Sequence, residues 1–428
     1  VSGTPALDWL FGLQRFGMRP GLERVRALLA ETGLPAPGTR VVLVAGTNGK
    51  GTVTRLVASA LTAAGRRTGS FFSPHLERVG ERARVDGVEA TEEEMEAAVA
   101  AVRPAAERLG CTFFEVVTAA ALHRFRAAGA GGAVMEVGLG GRFDATNALE
   151  PVLSVVTGVS LDHQAVLGGT VAEIAREKAG VLRPGVPALT GATGEALAVV
   201  RSEARALGAP LLVLGRDVDV TVEASGWDGL ALTVTGGLDG LPLALRSPLV
   251  GRHQARNVAL AAVAALTLGA GPEAVREAFA RTSWPGRLER LDLDRAWVLD
   301  GAHNPEGAEA LAAALDDLGA RPAALVVGAS ADKDLAGVLA PLAARAPVVV
   351  ATRASSPRAA SPGELAAAAS RAGAARVEEA PDAAAALRLA RGLTRAGELV
   401  VVAGSLFLVG EVRSLLLGAA PEGRERWQ

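Results

Sequence analysis

The stretch Val41–Thr52 reads VVLVAGTNGKGT. Its apolar, β-branched run Val41–Val44 reads as a buried parallel strand. The run breaks at Gly46-Thr47-Asn48-Gly49-Lys50-Gly51-Thr52, and a helical pattern follows from Val53 to about Ala64. Strand, glycine-rich turn, lysine, hydroxyl and helix form the layout of a phosphate-binding loop. The glycines let backbone N–H groups converge on one concavity, and the helix N-terminus adds partial positive charge. Lys50 supplies a mobile charge for terminal phosphates, and Thr52 a hydroxyl for Mg²⁺. The spacing differs from the usual one. Two residues, not four, separate Gly46 from Gly49-Lys50, and Gly51 precedes Thr52.

This tighter loop resembles that of the Mur ligase superfamily of ATP-dependent amide-forming ligases. The extra Gly51 is similar to its folate branch, the folylpolyglutamate and dihydrofolate synthases. Two further strings resemble that branch in the same order. Glu136–Asn147 reads EVGLGGRFDATN, and Asp300–Pro305 reads DGAHNP. The resemblance covers essentially the whole chain.

Composition sets bounds. A chain of 428 residues suggests two or three domains. A net charge of −2 argues against a broad nucleic-acid surface. The single cysteine, Cys111, excludes an internal disulfide and points to a reducing compartment. No apolar run is long enough to span a membrane, and the N-terminus lacks a signal-peptide pattern. The expectation is a cytoplasmic monomer with no membrane or nucleic-acid partner.

The expected fold class is α/β. Residues 1–283 form a P-loop ATPase domain with a mostly parallel sheet and the pterin pocket. Residues 284–428 form a smaller, doubly wound α/β domain that contributes to nucleotide and glutamate binding. The boundary falls at the Pro-Gly connection in Trp284-Pro285-Gly286-Arg287-Leu288-Glu289. Before the first strand lie two short helices, over Asp8–Phe16 and from Leu22, joined by a turn at Gly17–Gly21. Asp86-Gly87 reads as a hairpin turn, and Thr91 as the cap of a helix reaching Leu109. A helix is expected from Val116, and Val218–Leu245 as a small antiparallel appendix. Pro421–Gln428 reads as a frayed tail.

Residue patterns and the resemblance together assign the site. Gly46, Thr47, Asn48, Gly49, Lys50, Gly51 and Thr52 hold the nucleotide phosphates. Glu136 is an acid at the end of an apolar strand, where open α/β sheets bind ligands. The resemblance makes Thr52, Ser73, Glu136, His163 and Lys178 the ligands of two Mg²⁺ ions, Lys178 as a carbamate. On charge alone, Lys178 is also a favourable cation at a helix C-terminus. Asn257 and Gln254 share one helical face, and Asn257, Arg287 and Asp300 are implied nucleotide contacts. Phe113, Phe114, Arg142, Asp144, Asn147 and His303 are implied on the substrate side; on pattern alone Phe113 and Phe114 are core. Lys50, Lys178, Asp300 and His303 are the implied catalytic residues.

The implied reaction adds L-glutamate to dihydropteroate, to reduced folates, or to both, through an acyl phosphate made from ATP, with domain closure assembling the site. A cell-wall Mur ligase acting on a nucleotide-linked peptide is the alternative. It fits less well, because only short helices precede the first strand. A nucleotide-gated binding module is a third reading. It would show no glutamate-dependent ATP hydrolysis.

Overall fold

The computed structural model describes residues 5–16 and 19–419. Gly17 and Met18 of the expected turn, and the tail Pro421–Gln428, lie outside the described residues. By packing, the chain divides into two units. One contains residues 1–223, 231–248 and 254–282; the other contains 224–230, 249–253 and 283–428.

The first unit holds an eight-stranded sheet. Its strands are β1 (Arg40–Ala45), β2 (Thr68–Phe71), β3 (Ala83–Val85), β4 (Val88–Glu89), β5 (Gly132–Glu136), β6 (Pro151–Val156), β7 (Ala188–Thr190) and β8 (Leu211–Val213). They lie in the order β4-β3-β2-β5-β1-β6-β7-β8. The run from β2 to β8 is parallel, and β3 and β4 are antiparallel. Buried strands explain the unbroken apolar reading of Val41–Val44, since β1 is covered on both faces.

β1 lies between β5 and β6, although β5 and β6 are consecutive parallel strands of this sheet in the chain. The connection therefore passes over β1, and the sheet changes winding direction there. Such a switch point leaves a crevice outside the strand ends. It is where the glycine-rich loop begins. Glu136, ending β5, and the loop from β6 to His163 flank the phosphate loop from either side.

The turn signals fold as expected. Asp86 and Gly87 both take positive φ, 51° and 81°, as a two-residue hairpin turn requires. Thr91 closes a capping box with Glu94 and starts the helix Glu92–Leu109. One helix begins earlier than the periodicity predicts, at Phe113 instead of Val116. Thr112 and Glu115 form a second capping box, so Phe113 and Phe114 are first-turn residues. Residues 218–247 supply a three-stranded sheet of β9 (Val218–Gly226), β10 (Gly229–Gly236) and β11 (Leu243–Ser247).

The second unit has a six-stranded sheet of β12 (Glu289–Asp292), β13 (Ala296–Leu299), β14 (Ala324–Val327), β15 (Val349–Ala351), β16 (Val377–Glu379) and β17 (Leu399–Ala403). The order is β12-β13-β17-β14-β15-β16. All pairings are parallel except that of β12 with β13. β12 occupies a stretch expected to be a plain connection. Its side chains alternate between half-buried and exposed, which suits an edge strand and conceals it in a hydropathy reading. Among the described residues, no helix is long and apolar enough to cross a membrane.

Candidate active site

The helix after β1 starts at Lys50, three residues before the apolar pattern announces it. Gly49 is its N-cap, at φ 85°, and no side chain caps it. The first backbone bond runs from Val53 N to Gly49 O, 3.0 Å. The N–H groups of Lys50, Gly51 and Thr52 therefore belong to the first turn, which has no intrahelical acceptors. The loop is braced from the β6 side. Thr47 N donates to Gly158 O at 2.7 Å, and Thr157 Oγ1 donates to Asn48 O at 2.6 Å. Thr47 Oγ1 donates to Ser160 O at 3.2 Å. Gly46 has no room for a side chain, since a Cβ there would lie 1.9 Å from Thr157 Oγ1. Lys50 Nζ folds back onto Thr47 O at 2.9 Å. Thr157 was missed in the sequence because a hydroxyl ending a strand carries no distinctive signal.

Asn257 lies against the same loop. It stands in the helix Gln254–Thr267, and a Cβ on Gly49 would be 2.2 Å from its Oδ1. Asn257 Nδ2 donates to Gln254 Oε1 at 2.9 Å, which orients the amide.

Lys178 is 4% exposed, and its Nζ donates to Gly46 O at 2.9 Å. Lys178 does stand in the last turn of its helix, but its amine lies inside the fold, on the first residue of the phosphate loop. Two glycines allow that approach. A Cβ on Gly141 would be 2.7 Å from Glu177 O, and one on Gly180 would be 2.6 Å from Arg142 Cα. The GLGGR loop and the helix Val171–Ala179 therefore meet backbone to backbone.

Glu136 ends β5, in register with Val44 of β1. Its Oε2 accepts from Ser73 N at 3.2 Å, which joins two of the expected metal ligands. His163 sits at φ 50° ahead of the short helix Gln164–Leu167, and its N–H donates to Asp162 Oδ1 at 2.8 Å. Among the described residues, no three His, Cys, Asp or Glu side chains gather as a metal cage. The donors present still fit Mg²⁺ in phosphoryl chemistry, where one or two carboxylates share the ion with phosphate oxygens and water. Glu136 at the end of β5 and the Thr52 hydroxyl in the first turn of the helix after β1 are donors of that type.

Asp144 and Asn147 hold the second loop together. Asp144 Oδ2 accepts from Gly138 N and Leu139 N, both at 3.0 Å; Oδ1 accepts from Thr146 N at 3.0 Å and Thr146 Oγ1 at 2.6 Å. Burial pushes its carboxyl above the usual range, against these four donors, which favour the ionised form. Asn147 Nδ2 donates to Arg142 O and Gly180 O, at 2.9 and 3.1 Å. Both residues shape the loop through its backbone. Arg142 is half exposed and pairs with Glu177 at 3.4 Å.

The two phenylalanines part ways. Phe114 covers Gly138, where a Cβ would lie 2.4 Å from its ring, and packs on Phe71 at 5.8 Å between centroids. Phe113 meets Phe11 at 5.8 Å and carries the Arg82 guanidinium 5.4 Å over its ring. Arg82 is 2% exposed, and its Nε donates to His75 Nδ1 at 2.8 Å. His75 and Arg82 were missed as a buried pair, because no local pattern marks two polar residues seven apart as meeting inside the fold.

In the second unit, Arg287, Asp300 and His303 come together by themselves. Asp300 accepts from Leu288 N and Ala302 N, each at 2.8 Å. A Cβ on Gly301 would be 2.0 Å from an Arg287 guanidinium nitrogen, and His303 Nδ1 is 2.8 Å from Gly301 O. His253 belongs to the same group. Burial pushes its imidazole below the usual range, with Asp300 pulling it up and Arg287 adding to the fall.

The chain matches the family model of the Mur ligase middle domain over residues 44–266, and that of the Mur ligase glutamate ligase domain over 286–406. It is 38% identical to the dihydrofolate synthase/folylpolyglutamate synthase of Bacillus subtilis, covering 72% of this chain and 74% of that protein. The chain belongs to the folylpolyglutamate synthase/dihydrofolate synthase family of Mur ligases. A Haloferax volcanii protein named "Probable bifunctional folylpolyglutamate synthase/dihydropteroate synthase" is 41% identical over 96% of this chain. The chain spans about half the length of that relative and of its Halobacterium salinarum counterpart, 50% and 51%. Mycobacterium tuberculosis folylpolyglutamate synthase complexed with ADP superposes with a TM-score of 0.90 at 33% identity, covering 98% of this chain and 99% of that one. E. coli FolC in complex with DHPP and ADP gives 0.86 at 33% identity, over 96% and 98%. The cell-wall ligase alternative is not favoured, since these relatives are folate enzymes by name.

Proposed function

We propose that this chain is an ATP-dependent ligase that adds L-glutamate to dihydropteroate, to reduced folates, or to both. The observation carrying this reading is the shared edge of β5, β1 and β6. There the phosphate loop, Glu136 and the buried Lys178 amine meet at one switch point.

The first-turn amides and Lys50 hold the nucleotide's terminal phosphates in place for attack by the substrate carboxylate. One carboxylate oxygen bonds to the γ-phosphorus as the bond to ADP breaks, giving an acyl phosphate. The glutamate amine then attacks the acyl carbon, loses a proton, and phosphate leaves. Two anions must approach one another in the first step, so positioning and local positive charge supply most of the effect. Mg²⁺, held through Glu136 and Thr52, would neutralise charge on the phosphate oxygens. We assign a second ion to His163, Ser73 and a carbamate on Lys178. Arg287 is assigned to phosphate, Asp300 to the nucleotide and His303 to the incoming glutamate. The expected setting is the cytoplasm, as a monomer.

The test is phosphate release from Mg-ATP with L-glutamate, comparing dihydropteroate, tetrahydrofolate and no pterin. Turnover with both identifies a bifunctional synthase, and turnover with one assigns that step. No pterin-dependent release sinks the folate reading.

A further inference from the structure

Leu288 sits at φ 46°, in the left-handed region that a bulky side chain rarely adopts. It is 1% exposed and follows Arg287 directly. Holding a leucine there costs free energy, and such strain persists only where the surroundings over-determine it. Glycine at this position would carry no steric cost.

Contacts within the second unit fix this turn. Asp300 Oδ2 accepts from Leu288 N at 2.8 Å. Gly286 O accepts from Gly301 N at 2.9 Å. Glu289 Oε2 accepts from Gly286 N at 2.9 Å, so the turn is closed by its own side chain. Arg413 Nε donates to both Glu289 carboxylate oxygens, each at 3.0 Å. Arg413 stands in the last turn of the helix Leu406–Leu416, and the side chains of the pair are only 19% and 16% exposed. Charge-assisted bonds shielded in this way are stronger than exposed ones. The start of the same helix lies on Gly301. A Cβ there would be 2.5 Å from Leu406 Cδ2 and 2.0 Å from an Arg287 guanidinium nitrogen. One helix therefore braces the turn through Glu289 and backs the glycine on which Arg287 rests.

We propose that Glu289, clamped by Arg413, is a positioning residue for Arg287. It holds Gly286–Glu289 in the strained form that lays the guanidinium over Gly301, so Arg287 is already ordered when a nucleotide phosphate arrives. This rests on the assignment of Arg287 to phosphate above. A long side chain loses rotamer freedom on binding, and a turn that fixes its root lowers that cost. The Glu289 carboxylate is engaged by Gly286 N and Arg413, so its effect on the ligand runs through Arg287. The strain at Leu288 is then kept because it sets the direction of the residue before it.

The experiment is a double-mutant cycle on the Kd for Mg-AMPPNP, measured by titration calorimetry on wild type, Arg287→Ala, Glu289→Ala and the double variant. Arg287→Ala should raise the Kd on the order of tenfold or more. Glu289→Ala should raise it about tenfold, because a displaced guanidinium no longer meets the phosphate. In the Arg287→Ala background, Glu289→Ala should add less than about twofold, since nothing is left for it to position. Glu289→Gln keeps an oxygen for Gly286 N and loses the charge facing Arg413. It should raise the Kd about fivefold, and it carries the same cycle if the alanine variant does not fold. A Glu289 effect of equal size in both backgrounds would mark a structural acid and overturn this inference, leaving the phosphate assignment standing. A wild-type Kd in Glu289→Ala would do the same. A wild-type Kd in Arg287→Ala overturns the phosphate assignment and this inference with it. Binding needs neither pterin nor glutamate, so the folate reading stands or falls separately.

Discussion

The carboxamide of Asn257 rests on Gly49, so closely that a Cβ on that glycine would lie 2.2 Å from Oδ1. The two residues are far apart in sequence, yet one sets the shape of the other's loop. Gly49 also needs φ 85°, which L side chains rarely adopt. Gly49→Ala is therefore expected to cost about 1–3 kcal/mol in backbone strain, before any clash. Thermal shift with and without Mg-ATP checks it: the variant melts lower and loses most of its nucleotide-induced stabilisation. Adding Asn257→Ala removes the clash and leaves the strain, so stability recovers only in part.

Lys50 Nζ donates to the loop backbone, to Thr47 O at 2.9 Å. Lys50→Ala should keep the wild-type melting temperature while kcat falls on the order of 10²–10³-fold. Steady-state phosphate release measures it. A variant retaining more than a tenth of wild-type kcat would remove Lys50 from the assigned machinery.

For Lys178 the decisive readout is CO₂. If the carbamate forms, activity declines in CO₂-depleted buffer and returns with bicarbonate, and Lys178→Ala regains some activity with added short carboxylic acids. An enzyme indifferent to bicarbonate, with an unmodified Lys178 by mass spectrometry of the native protein, would fit an unmodified side chain donating to Gly46 O.

Asp144 accepts four hydrogen bonds, two on each oxygen. Asp144→Asn replaces one acceptor with a donor, so two N–H or O–H groups face an NH₂. Loss of about 2–3 kcal/mol follows from leaving buried donors unpaired. Urea denaturation reads this directly. A change under about 0.5 kcal/mol would mean that the loop reorganises freely.

Cys111 is buried, and its thiol is pushed up to about 12, first by burial and then by the neighbouring Glu115. A raised thiol value keeps the proton on sulfur at every pH below it. Native protein at pH 8 should therefore resist thiol-labelling reagents, and unfolding in urea should make the same residue react at once.

The phosphate loop, the glycine-rich string Glu136–Asn147, the string Asp300–Pro305 and the alternation of strands and helices were legible because each depends on local chemistry. A turn needs glycine, a helix start needs an acceptor, and a buried strand needs apolar residues. The capping box at Thr112–Glu115 was equally local, and a search for the T-x-x-E spacing would have found it. β12 was not legible, because an edge strand is specified by its partner β13 and not by its own hydropathy.

The sequence by itself determined which residue types are available at each strand end. Only the tertiary structure decided that β1 lies between β5 and β6, which sets Glu136 and the His163 loop on opposite sides of the phosphate loop. Only the fold brought Lys178 to Gly46, Asn257 to Gly49, and Arg82 over Phe113. Those pairings depend on strand order and on close backbone approach at glycines, which are properties of packed elements and not of any single stretch of chain.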